Sequence, residues 1–141
     1  AYKSKYTPKN ADKYMGNPDN IICRSTWERK MCKYLDYNTN VIRWASEELK
    51  IPYYSPVDKK WHNYIPDFLC EILDKTKEVQ TYLIEVKPKK QTKQPKKRNS
   101  KLYLSEMARY TINTSKWKAA ENFCKDQGRT FKILTEKELF K

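Results

Sequence analysis

The chain has 141 residues, enough for one domain with a hydrophobic core and too few for two comfortable ones. Thirty Lys and Arg against 17 Asp and Glu give a net charge of +13, which points to a polyanionic partner such as nucleic acid. Only two glycines leave little room for a glycine-rich nucleotide-binding loop, and no apolar run approaches the ~20 residues of a membrane helix. We therefore expect no membrane partner.

The N-terminal part of the chain is predicted to start with an arm. Residues 1–22 carry Tyr, Lys, Asn and Pro without the apolar periodicity needed to bury themselves, which predicts an extended arm on the body or on a partner. The remaining residues, 23–141, are then one domain. A helix is predicted at 25–37, and short strands at 41–44 and 49–54.

The middle of the chain predicts a hairpin followed by a basic connection. Residues 61–73 and 79–87 have the composition of two strands joined by a polar turn at 74–77. Residues 88–100 are of low complexity and rich in lysine. Such a connection is typical of a flexible, solvated loop.

The C-terminal part predicts helices and a last strand. Helices are predicted at 102–110 and 115–126, with Thr114 or Ser115 capping the second and Gly128 following its end. Residues 131–134 predict a strand, and Thr135 to Glu138 have the spacing of a capping box. The sum is an α+β or α/β fold, in which helices precede and follow a central mixed sheet.

Four cysteines and one histidine argue against a zinc site. Cys23, Cys32, Cys70 and Cys124 are far apart and form no CxxC pair, and His62 is the single histidine. Zinc sites of ordinary ligand spacing cannot be assembled from this set. Free thiols in a reducing compartment are the expected state.

Asp67, Glu85 and Lys87 are the candidate catalytic groups. Strand side chains alternate between faces, so Glu85 and Lys87 share one face of the strand at 79–87. That strand is almost continuously apolar, and a charged pair on a covered strand needs a partner. Asp67, at the entry to the neighbouring strand, supplies one. Two converging carboxylates suit a hard cation such as Mg²⁺, and Lys87 beside them could stabilise the charge of a phosphodiester transition state.

Glu28 is a third carboxylate with two explanations. Ser25 to Glu28 has the spacing of a capping box, in which the Glu28 side chain bonds back to the helix start. Glu28 also borders the apolar stripe of the helix, so it could lean toward the sheet. Composition alone favours the cap.

The basic connection is a candidate DNA-binding segment. It leaves directly from the candidate site and carries no acidic residue, so it would track a nucleic-acid backbone in a salt-dependent manner. No base-reading motif is evident, which predicts recognition of shape or ends rather than sequence. The candidate phosphate-binding residues are Lys89, Lys90, Lys93, Lys96, Lys97 and Arg98.

Together these motifs resemble the PD-(D/E)XK nuclease superfamily, and more narrowly the head-completion nucleases of large tailed phages. That phage family is itself similar to the end-cleaving nuclease subunit of a heteromeric transposase. The segments that carry the narrower resemblance are Arg24-Ser25-Thr26-Trp27-Glu28, Trp44-Ala45-Ser46-Glu47-Glu48, Ile51-Pro52-Tyr53, Ile65-Pro66-Asp67-Phe68 and Ile84-Glu85-Val86-Lys87-Pro88.

The resemblance implies a restriction-endonuclease-like fold, with a mixed four-stranded sheet flanked by helices. It also implies that Glu28, Asp67 and Glu85 bind Mg²⁺ or Mn²⁺ and that Lys87 is the catalytic lysine, which moves Glu28 from cap to ligand. By analogy, the protein would cut packaged DNA at the portal or neck of the phage head so that heads can join tails. It would then be found in the host cytoplasm during assembly and afterwards in the head–neck region of the virion.

Two other functions remain open at this point. A transposase-like or junction-resolving nuclease would use the same four residues. A structural neck protein would keep the charge that grips DNA and have a vestigial site. Cleavage of a plasmid with and without EDTA distinguishes the enzymes from the structural protein.

Overall fold

A four-stranded mixed sheet forms the centre of the protein, in a computed structural model that describes residues 2–140. Its strands, in spatial order, are β3 (Val41–Ser46), β6 (Phe68–Leu73), β7 (Val79–Val86) and β8 (Thr130–Leu134). The β3–β6 and β6–β7 pairs are antiparallel, and β7–β8 is parallel. The predicted mixed sheet is confirmed.

Helices and two small hairpins surround this sheet. The hairpins are β1 (Ser4–Tyr6) with β2 (Ile21–Cys23), and β4 (Ile51–Ser55) with β5 (Lys60–Tyr64). The helices are α1 (Thr26–Tyr37), α2 (Lys101–Asp126) and α3 (Glu136–Leu139), with short 3-10 turns at Ala11–Lys13 and Lys89–Thr92. The predicted first helix, last strand and terminal helix are therefore confirmed.

The two faces of the sheet carry separate cores. On one face, which we call the α1 face, Ile84 and Val86 pack with Met31 and Leu35 of α1. On the other, the α2 face, Leu83 packs with α2 and with the β4–β5 hairpin. This division follows from the alternation of side chains along β7. It places Glu85, between Ile84 and Val86, on the α2 face.

The predicted strand at 61–73 is two strands in the structure. β5 ends at Tyr64 and β6 begins at Phe68, and the two belong to different sheets. Pro66 has no N–H to donate to a strand ladder, which explains the interruption. Asp67 follows it, and the carboxylate accepts a hydrogen bond from the Val86 amide at 2.7 Å. The break therefore places Asp67 at the end of the sheet.

The two helices predicted at 102–110 and 115–126 are one continuous helix, α2, so the predicted break at 111–114 is wrong. Thr114 and Ser115 do not cap a helix. Their hydroxyls donate to carbonyls in the preceding turn, those of Tyr110 and Thr111, so the helix continues. The cap is instead Ser100, and Gly128 follows the end of α2 with a φ of +66°, as predicted. Residues buried along α2 begin only at Asn113.

The prediction that residues 1–22 cannot bury themselves is wrong. Tyr6, Tyr14 and Ile21 are all at least nine-tenths buried and belong to the core of the α1 face. Strand β2, Ile21–Cys23, crosses the boundary expected at residue 22. The buried side chains are single and widely spaced, so they leave no periodicity in the sequence.

Asp36 of α1 holds the N-terminal segment in place. Its carboxylate accepts hydrogen bonds from the Tyr6 hydroxyl at 2.7 Å and from the Lys9 and Asn10 amides at 2.8 and 3.0 Å. Its side chain has no exposed surface. Burial by itself raises the pKa of Asp36, but these three donors lower it below its usual value.

Two further features bear on the predicted class of protein. In residues 2–140 we find no helix long and apolar enough to cross a membrane. Cys23, Cys32, Cys70 and Cys124 are all buried free thiols.

Candidate active site

Asp67 and Glu85 face each other across two neighbouring strands. Phe68 of β6 pairs with Ile84 of β7 in antiparallel register, so Asp67 and Glu85 occupy the next pair of positions. Asp67 is partly buried and Glu85 is 6% exposed. The short β6–β7 connection makes the two strands neighbours, as predicted.

Tyr64 and Lys87 are the direct partners of the Glu85 carboxylate. The Tyr64 hydroxyl donates to one Glu85 oxygen, Oε1, at 2.6 Å. The Lys87 ammonium lies 3.7 Å from the other, Oε2, so the predicted pair on one face of β7 is present. Lys87 remains partly exposed, with 29% of its side-chain surface accessible. Its ammonium can therefore reach a substrate as well as Glu85.

Glu28 forms the contacts of a helix cap, and its charge also reaches the candidate site. Its backbone amide donates to the Ser25 hydroxyl at 3.1 Å, and its carboxylate accepts from the Arg24 amide at 3.1 Å. It therefore closes the start of α1, bonding one residue before the N-cap. Its charge also acts on Glu85 and Asp67, since each pair of these carboxylates interacts electrostatically.

Burial and neighbouring charges make it unfavourable for the three carboxylates to be ionised together. Burial raises the pKa of Asp67 well above its usual value, and the charge of Glu85 raises it further. Burial also raises the pKa of Glu85, although Tyr64 and Lys87 oppose this. Burial and neighbouring carboxylates raise the pKa of Glu28 as well. Carboxylates that destabilise one another in this way require a counter-charge when all are ionised.

A divalent cation fits this requirement. Asp67 and Glu85 offer oxygen donors at one end of the sheet, and hard cations such as Mg²⁺ prefer carboxylate oxygen. Among the described residues, however, no group of three or more Asp, Glu, His or Cys side chains is assembled closely enough to hold a metal. Asp67 and Glu85 are therefore the primary candidates, and Glu28 is turned toward the start of its own helix.

The basic connection lies in solvent, as its composition indicates. Lys90, Lys93, Lys96 and Lys97 are exposed, and Lys89 is partly buried. Arg98 is exposed too, but it forms an ion pair with Glu106 of α2. The segment directly follows Lys87, so its cations are attached to the candidate site.

Sequence reasoning missed Tyr64 and Lys116. Tyr64 is 3% exposed and looks in the sequence like any aromatic residue of a strand. Lys116 of α2 acts on the charge of Glu85, and its ammonium lies 5.8 Å from the centre of the Tyr64 ring. Both are remote from Glu85 along the chain. The only local signal is that Tyr64 stands three residues before Asp67.

Comparison with known proteins decides the class. Residues 38–136 match the sequence family described as the N-terminal part of TnsA-like endonucleases. The chain belongs to the TnsA-like endonuclease family. The match includes Asp67, Glu85 and Lys87, whereas Glu28 precedes it. The mixed sheet with flanking helices agrees with the restriction-endonuclease-like fold, and the expectation of a DNA nuclease is confirmed.

A curated relative extends this TnsA-like match over most of the chain. The protein named head completion nuclease of Enterobacteria phage T4 is 39% identical over 142 residues. The alignment covers 96% of this chain and 92% of the relative. The resemblance drawn from the five sequence segments is thereby confirmed. No solved structure shows a significant match.

Proposed function

We propose that this protein is a metal-dependent DNA nuclease that acts in the completion of phage heads. The observation that supports the chemistry is the pair Asp67 and Glu85 on adjacent strands, with the Lys87 ammonium 3.7 Å from Glu85. The charge of Glu85 further raises the pKa of Asp67, so the pair needs a nearby cation when both carboxylates are ionised. The role in head completion is carried over from the phage T4 relative.

Asp67 and Glu85 would hold Mg²⁺ or Mn²⁺. Glu28 would be the third ligand if its carboxylate turned away from the Arg24 amide. When bound, the cation supplies Lewis-acid activation of water and of the phosphate. Tyr64 keeps one Glu85 oxygen in a fixed direction through its hydrogen bond. Lys87 would stabilise negative charge on the phosphate, because its ammonium lies 3.7 Å from Glu85 and its side chain is partly exposed to an incoming substrate.

The test is cleavage of a plasmid by the wild type and three variants. EDTA should abolish cutting by the wild type. Lys87→Ala should lower the rate by roughly 10²–10³, the usual effect of removing one charge stabiliser, and Asp67→Asn should lower it at least as much. Lys75→Ala, at the exposed far turn of the β6–β7 hairpin, is the matched control. Near wild-type cutting by Lys87→Ala or Asp67→Asn would place the chemistry elsewhere.

The basic connection would bind the DNA backbone without reading its sequence. Its six candidate residues are Lys89, Lys90, Lys93, Lys96, Lys97 and Arg98. Replacing all six by Gln should flatten the dependence of log K on log salt, by roughly 0.9 for each phosphate that the segment no longer neutralises. An unchanged slope in a binding titration would assign this segment to a protein partner.

The site of action would be the portal or neck of the phage head. The protein would then work in the host cytoplasm during assembly and remain in the head–neck region of the virion. A phage carrying Asp67→Asn should accumulate full heads that fail to join tails, visible by electron microscopy. Normal infectious particles from that mutant would exclude a required role in head completion.

A further inference from the structure

Lys116 is a cation held beside the candidate site by two aromatic rings. Its ammonium lies 5.8 Å from the centre of the Tyr64 ring and 5.9 Å from that of Tyr53. Tyr64 in turn donates to Glu85 at 2.6 Å. Lys116 therefore approaches the α2 face of the sheet from the helix, whereas Lys87 approaches Glu85 from the chain that follows β7.

The charge of Lys116 is not neutralised by a direct ion pair. Among the residues that the structure describes, no carboxylate oxygen lies within 4.0 Å of its ammonium, whereas Lys87 has Glu85 at 3.7 Å. Lys116 is partly buried, between the buried Asn113 and Trp117 of the same helix. An ammonium that is partly desolvated and lacks a salt-bridge partner gains most from an incoming anion.

A structural role for Lys116 is the competing explanation. Contacts of an ammonium with aromatic rings are weakly stabilising by themselves, so packing over Tyr53 and Tyr64 could be the whole function. That explanation does not account for the place of this cation beside Glu85. Lys116 is on the partly buried side of α2 and lies over the tyrosine that bonds Glu85, whereas Lys118, two residues later, is on the exposed side of the helix.

We infer that Lys116 binds a phosphate of the DNA strand that enters the site, so that the strand is held between β7 and α2. This inference rests on the proposed nuclease function. Lys87 would then face the phosphate that is cleaved, and Lys116 a neighbouring phosphate. Lysine suits the second position because it recognises a phosphate as a point charge without demanding a fixed bidentate geometry.

The electrostatics of Glu85 agree with this arrangement. Burial raises the pKa of Glu85, while Tyr64, Lys87 and Lys116 each lower it. Lys116 is therefore close enough to act on the charge of the site. A bound phosphate would screen it from Glu85 and replace a weak long-range attraction by a direct contact.

The experiment measures DNA binding in EDTA, where no cleavage occurs, and then cleavage with Mg²⁺. Lys116→Gln should reduce the slope of log K against log salt by roughly 0.9, the value for one neutralised phosphate of duplex DNA. Lys118→Gln, on the exposed side of the same helix, is the matched control and should keep the wild-type slope. With Mg²⁺, Lys116→Gln should raise KM on the order of tenfold and change kcat little, whereas Lys87→Ala should lower kcat.

Two more variants keep the test independent of folding. Lys116→Met preserves the aliphatic stem over the rings and should behave like Lys116→Gln. Lys116→Arg keeps the positive charge and should keep the wild-type slope of log K against log salt. Equal slopes for wild type, Lys116→Met and Lys118→Gln would overturn the inference. A reduced slope together with a wild type that never cleaves DNA would instead disprove the nuclease proposal and leave Lys116 as a DNA-binding residue.

Discussion

Asp36 and the pair Asp67 and Glu85 are buried carboxylates with opposite electrostatics. Asp36 accepts three hydrogen bonds from Tyr6, Lys9 and Asn10, and its pKa is lowered. Burial raises the pKa of both Asp67 and Glu85, and the charge of Glu85 raises that of Asp67 further. The hydrogen bonds that stabilise the ionised Asp36 are complete in the folded protein, as in a structural role. Buried carboxylates with raised pKa values are typical of functional sites, which is why we propose that Asp67 and Glu85 bind a cation.

The two faces of the sheet also differ, one in having an apolar cavity and the other in having buried charge. A cavity of about 480 Å³ lies on the α1 face, lined by apolar residues such as Met31, Ile84 and Leu134. None of the four candidate catalytic residues lines it. The proposed chemistry would instead take place on the α2 face, where the Tyr64 hydroxyl donates to Glu85. The proposal therefore rests on the charges of the site and not on a cavity.

The largest expected effect is the loss of DNA cleavage on substitution of Glu85. Glu85→Gln keeps the shape of the side chain but removes a charge that would bind the cation, so cleavage should fall by roughly 10²–10³. The folded state should be at least as stable as the wild type, because a poorly compensated buried charge is gone. Plasmid cleavage and thermal unfolding measure the two quantities. Glu121→Gln, exposed on α2, is the control and should change neither.

A smaller effect is expected on the structural side, at Asp36. Asp36→Asn keeps one acceptor oxygen and turns the other into an NH₂ donor. That donor must face either the Asn10 amide or the Lys9 amide with the Tyr6 hydroxyl, so at least one donor is left unpaired at about 1–3 kcal/mol. The variant should lose stability yet cleave normally at temperatures where it is folded. Chemical denaturation should show this loss, while Asp19→Asn, in an exposed loop, should show none. An Asp36→Asn protein as stable as the wild type would contradict the structural role.

The smallest effect is a difference in pH dependence measured in EDTA. The folded pKa of Asp36 is lowered, so its contribution to stability is present above the unfolded value of ~3.9 and disappears as pH falls through the folded pKa. The folded pKa of Asp67 is raised, so its contribution is present below ~3.9 and is lost as pH rises through the folded value.

Asp67→Asn should therefore have a higher melting temperature than the wild type near neutral pH, and this advantage should shrink toward pH ~4. Mg²⁺ should raise the melting temperature of the wild type more than that of Asp67→Asn, because it binds only the folded site. If the advantage of the variant grew as pH fell, the assigned direction of the Asp67 pKa would be wrong.

The sequence predicts Asp67, Glu85 and Lys87 well because their relation is local. Alternation along one strand and a short hairpin place them together, with no knowledge of the rest of the fold. The role of Glu28 is harder to predict, because the same spacing fits a helix cap and a residue of the catalytic site. The structure retains the bond to Arg24 and the electrostatic coupling to Glu85 together.

Tyr64 and Lys116 were not predictable because their relation to Glu85 depends on tertiary packing. Tyr64 is 21 residues from Glu85, and the β4–β5 hairpin must first dock against α2. The prediction for the N-terminal segment was wrong for the same reason. Its anchor is Asp36, with partners 26 to 30 residues earlier, and such contacts leave no periodic trace in the sequence.

The length of α2 has a consequence for the basic connection. Residues 101–112 of the helix contribute no buried residue, and at 1.5 Å per residue they extend about 18 Å. Because the helix is continuous, it behaves as a stiff rod, and the Arg98–Glu106 pair ties the lysine-rich segment to it. A DNA backbone bound by this segment would therefore be held against a rigid helix and not by a loop alone.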